Sequence, residues 1–132
     1  MFNRFKKDLR GQAMVEMALI LPLFVLLLLG VVEVGRMYNA YLVIDHATRE
    51  GARAGSLGAT TYQIETKIKT ISALLPNSAD VKVTVTPNDS NRSRGQNISI
   101  TTLYPFKFFA PMIGTIFGNP FNISSIIVAR VE

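Results

Sequence analysis

The sequence predicts an α+β protein. It consists of a long N-terminal helix with a transmembrane half that continues outside the membrane, a second short helix, and a small antiparallel sheet of about three strands. Three observations predict this. Met17 to Val32 is an apolar run without a charged residue. Helix-spaced apolar residues continue beyond it and recur in a second segment. The C-terminal half then alternates apolar and polar residues, the pattern of half-buried strands.

The chain opens with a basic leader, residues 1–11. Arg4, Lys6, Lys7 and Arg10 against Asp8 place +3 of the formal +5 charge there, leaving ten basic and eight acidic residues elsewhere. The high pI is therefore a topology signal, because Lys and Arg flanking a first span stay cytoplasmic. A nucleic-acid surface would need basic residues clustered on the folded part, and Arg92 with Arg94 does not make one, so no nucleic-acid partner is expected. There is no cysteine, which excludes disulfides, thiolate metal sites and cysteine nucleophiles. The single histidine, His46, lacks the companions of a metal or catalytic constellation and is read as solvent-facing.

Between Arg10 and Glu33 the uncharged stretch is broken only by Glu16, and about 20 residues cross a bilayer. The span is placed at about 13–32, where membrane helices tolerate Pro22 and Gly30. No Ala-x-Ala-like signal-peptidase site follows the apolar core. Instead Met37, Tyr41, Ile44 and Thr48 continue one helix face. One helix is expected over residues 12–55, ended by Gly55 and Gly58, with a length of roughly 60–65 Å. Glu16 is costly in such a helix, on the order of 3 kcal/mol at the bilayer centre and less at its edge.

Residues 56–132 form the expected extracytoplasmic domain. Ile64, Ile68, Ile71 and Leu75 predict an amphipathic helix over Tyr62 to Leu75, stopped at Pro76-Asn77. Val81 to Thr86 alternates as a strand with its valines inward. Pro87 to Gly95 is a polar loop. Asn97 to Tyr104 and Asn122 to Val131 supply two more strands. Between these last two, Pro105 to Phe121 carries five phenylalanines and three prolines. A connection this long and oily is uncommon unless it functions. It either covers the sheet, rests near the bilayer, or meets a partner through Phe108, Phe109, Met112 and Ile113.

Gly11-Gln12-Ala13-Met14-Val15-Glu16 resembles the Gly/x-x-x-x-Glu processing site of type IV pilin-like proteins. The run Gly11 to Phe24, with Glu33-Val34-Gly35-Arg36 and Ala47 to Ala54, more narrowly resembles the TadE-like family of minor pilins or pseudopilins from Tad/Flp pilus systems. That resemblance implies cleavage between Gly11 and Gln12 by a prepilin peptidase on the cytoplasmic side. It also implies a single-pass helix held in the bacterial inner membrane, with other Tad/Flp pilins and the assembly machinery as partners. Cleavage would free an α-amine at Gln12, and that ammonium could pair with Glu16 of a neighbouring subunit to set register. Arg49, Glu50 and Arg53 match the family's charged block, in which Asp45 and Arg49, four residues apart, can pair on one helix face.

No residues assemble into a catalytic or cofactor site: there is no nucleophile with a base, no phosphate loop and no carboxylate pair beside a pocket. The expectation is a non-enzymatic pilus subunit that is the peptidase's substrate. The alternative is a permanently anchored extracytoplasmic binding or scaffolding protein without pilus processing. A domain released by signal peptidase after about Gly35 would expose the remaining helix stripe and is disfavoured.

Overall fold

The structure, a computed structural model, describes residues 9–132, with side chains from Gly11 onward. Most of the basic leader therefore lies outside the described residues. Helix α1, Leu9–Ser56, is 48 residues long, about 72 Å at the rise of an α-helix. It begins ahead of the Gly11–Gln12 bond and runs through it without a break. Among the described residues it is the one helix long and apolar enough to cross a membrane. Every residue from Gly11 to Leu29 is exposed.

Farther along, α1 turns into a core element. Ala40, Ile44, Ala47, Thr48 and Ala52 are buried on the face that meets the rest of the chain. Gly51 and Gly55 belong to the same face. A Cβ on Gly51 would lie 2.6 Å from Ile68 Cδ1, and one on Gly55 2.9 Å from Ile98 Cδ1. Gly55 is thus a packing residue inside α1, and the helix runs one residue past the expected boundary. The stop comes at Gly58, whose φ of +87° takes the left-handed turn that a side chain resists.

Helix α2, Thr61–Ser72, starts at a capping box in which Thr60 and Gln63 exchange side-chain and backbone hydrogen bonds. It satisfies two of the free N–H groups at the helix start. Ile64 and Ile68 are fully buried against α1. The helix stops at Ser72 rather than Leu75, and a turn closed by Leu75 N–H on the Ser72 carbonyl still buries Leu75.

Three strands follow, β1 (Lys82–Thr86), β2 (Asn97–Phe106) and β3 (Phe121–Arg130), in the order β1-β2-β3. Both pairings are antiparallel, and Val85, Ile100 and Ile127 lie side by side across the sheet. Alternate residues of β2, Ile98, Ile100, Thr102, Tyr104 and Phe106, point into the core. Two of these are polar and both are satisfied. The Thr102 hydroxyl lies 2.9 Å from that of Thr48, which bonds the Ile44 carbonyl, and the Tyr104 hydroxyl donates to the Pro76 carbonyl. Helix α1 covers β2 and β3 with α2 beside it, giving the α+β arrangement expected of a sheet packed on one face. The oily connection is not a loop throughout: Pro111–Phe117 forms a short helix, α3, with Pro111 in its first turn, where a missing N–H costs nothing.

Candidate functional site

Gly11, Gln12 and Glu16 lie on the free first half of α1, and all three are exposed. Four residues separate Gln12 from Glu16, so both sit on one helix face. Glu16 makes no ion pair with another described residue.

The second constellation is at the other end of the apolar run. Glu33, the first charge after it, is only 3 % exposed. One carboxylate oxygen accepts the backbone N–H groups of Phe109 at 2.6 Å and Ala110 at 3.1 Å. The other takes the Arg36 guanidinium at 2.6 Å. The guanidinium in turn stacks on Phe109, 4.1 Å from the ring centroid, and on Phe106 at 5.3 Å. Glu33 thereby ties the oily connection to α1 across 76 residues of sequence and supplies acceptors for N–H groups at the start of α3. In sequence it looks like the end of a span. A carboxylate three residues before an arginine hints at a local pair, but nothing local announces the backbone partners.

The four aromatic and apolar residues singled out in the connection divide into two pairs. Phe108 and Ile113 are half-buried, with Phe108 edge-on to Phe106 at 5.2 Å and near Phe117 and Phe121. Phe109 and Met112 are exposed at 81 % and 59 %. Grooves between α1 and this segment are lined by Leu26, Leu29, Gly30 and Met37 on one side and by Phe108, Met112, Ile113 and Phe121 on the other.

The charged block farther along α1 is tied to the folded domain. Asp45 accepts from Arg49 at 2.8 Å, the expected pair, and also from the Ser125 hydroxyl of β3 at 3.0 Å. The Arg49 hydrogen bond, then that of Ser125, holds the Asp45 carboxyl below its usual range against the opposing effect of burial. Glu50 reaches Lys67 of α2 at 3.2 Å, which lowers its pKa. His46 is exposed. Arg92 is turned inward to the Ala59 and Pro87 carbonyls and to Asp89. Among the described residues no group of acidic or histidine side chains could hold a metal.

Residues 11–53 match the family model of the TadE-like protein. This segment is TadE-like. The match spans α1 from Gly11 almost to its end and stops before α2, α3 and the sheet. The apolar first half of the same helix fits a single membrane crossing. No curated protein and no solved structure matches the chain. The three blocks of the TadE-like segment have different surroundings. Gly11 to Glu16 meets none of the folded domain, Glu33 to Arg36 clamps the aromatic connection, and Ala47 to Ala54 packs small residues against α2 and the sheet.

Proposed function

We propose that the chain is a TadE-like minor pilin or pseudopilin, a substrate of a prepilin peptidase that takes part in Tad/Flp pilus assembly. The observation that carries this reading is the first half of α1: a bare apolar helix, TadE-like in sequence, with Glu16, which pairs with no other described residue, four residues after Gln12. The leader's positive charge favours a cytoplasmic N-terminus, which puts the folded domain on the outer side of the inner membrane. Cleavage after Gly11 leaves an ammonium on Gln12 at nearly the depth of Glu16. In a neighbouring subunit that ammonium meets Glu16, and a pair formed in low dielectric fixes register more surely than it adds stability. The role is one of assembly, with other Tad/Flp pilins as partners and no reaction performed by the chain itself.

Replacing Glu16 tests the reading. Glu16→Ala removes the only charge in the span and leaves membrane insertion intact. Pili counted by microscopy, and this subunit's recovery with other pilus components, should fall to the background of cells lacking the protein. Normal piliation by the variant would count against the register role.

A further inference from the structure

We propose that α3, with Phe109 ahead of it, is a second membrane-contacting element, whose outward side chains lie among lipid acyl chains beside α1. This rests on α1 crossing the bilayer but not on the pilin reading. Four observations converge on it.

The first is depth. Pro111, Met112 and Ile113 flank Leu26 and Leu29 of the apolar run. Leu26 lies six residues before Val32, about 9 Å along the helix, and interfacial helices bury their apolar side by about 5–10 Å. The second is the outward surface. Ile116 and Phe117 are exposed at 75 % and 64 % alongside Phe109 and Met112, forming an apolar patch continuous with the bare span. The third is charge: none occurs from Phe108 to Ala129, and Lys107 and Arg36 bound the patch.

The fourth observation is the treatment of the backbone. A helix start placed in hydrocarbon leaves N–H groups without water, at several kcal/mol each. Here Glu33 accepts from Phe109 and Ala110, and the Ile113 and Gly114 N–H groups return to the Ala110 carbonyl. Glu33 is itself neutralised by Arg36. A seven-residue helix has little stability of its own, so this clamp and the groove on α1 hold it in place. The occupant of the patch is lipid, because the patch continues the span's surface at the span's own depth.

The chain contains no tryptophan, so one introduced indole reports on its own position. The full chain carrying Ile116→Trp is reconstituted into phosphatidylethanolamine and phosphatidylglycerol vesicles containing lipids brominated along the acyl chain. Tyr62→Trp, on the exposed side of α2, is the comparison. The expected result is blue-shifted emission and several-fold stronger bromine quenching for Ile116→Trp than for Tyr62→Trp. Met112→Trp, at a second exposed position, repeats the measurement if Ile116→Trp lowers the thermal unfolding midpoint. Water-like emission with quenching no stronger than that of Tyr62→Trp overturns the proposal. Shielding that appears only when other pilus proteins are added assigns the patch to a protein partner and overturns it equally. Since no pilus component is needed, the result stands apart from any outcome on processing.

Discussion

At the scale of single residues, Glu33 shows how a costly group becomes structural. A buried carboxylate is tolerated when each oxygen has a donor, and here three donors converge on it. Glu33→Ala leaves Arg36 without its anion and two N–H groups without an acceptor, a loss on the order of 3 kcal/mol for a broken buried pair. Thermal unfolding in detergent should register it, with Glu33→Gln losing less because an acceptor oxygen remains. On the acid side Asp45 acts together with Glu50 and Asp89, whose pKa values are also lowered. The Asp45 pKa is lower in the folded chain, so its contribution is present above the unfolded value and is lost as pH falls through the folded one. The unfolding midpoint should therefore decline below about pH 4, and less steeply in Asp45→Asn. The Asp45–Arg49 pair was legible because its partners are four residues apart. The partners of Glu33 were not, because 76 residues of chain must fold before they meet.

Among the elements, period carried most of the information. Apolar spacing of three and four residues located α1 and α2, alternation located β1 and β2, and richness in Ile and Val located β3, with boundaries off by one to three residues. Two features escaped. Helix α3 is seven residues long, too short for a periodicity, and its proline and glycine read as loop signals. Gly55 read as a helix stop because its packing role depends on Ile98, a residue of another element. The same dependence yields a test at Gly51. Gly51→Ala gains about 1 kcal/mol of helix propensity, but the new methyl meets Ile68 at 2.6 Å, and overpacking costs about 1–3 kcal/mol. Net destabilisation is expected, and Ile68→Val in the same chain should recover part of it. Additive effects in that double-mutant comparison would mean that the two residues do not press on each other.

For the molecule as a whole, α1 joins two environments. Its first half offers a bare apolar surface, and its second half is the spine on which α2 and the sheet pack. The residues of the candidate site follow that division. The proposed roles of Gly11, Gln12 and Glu16 rest on spacing, on the apolar run beside them and on the TadE-like resemblance, whereas the aromatic clamp depends on tertiary contact. The bare half and the TadE-like match support an account in which the chain is processed and handed to a pilus machine. N-terminal sequencing, with intact mass, of the protein extracted from its native membrane tests that account most directly. A mature chain beginning at Gln12 is the result it predicts. A chain that keeps Met1, or has lost Met1 alone, would contradict it and leave α1 as a permanent anchor.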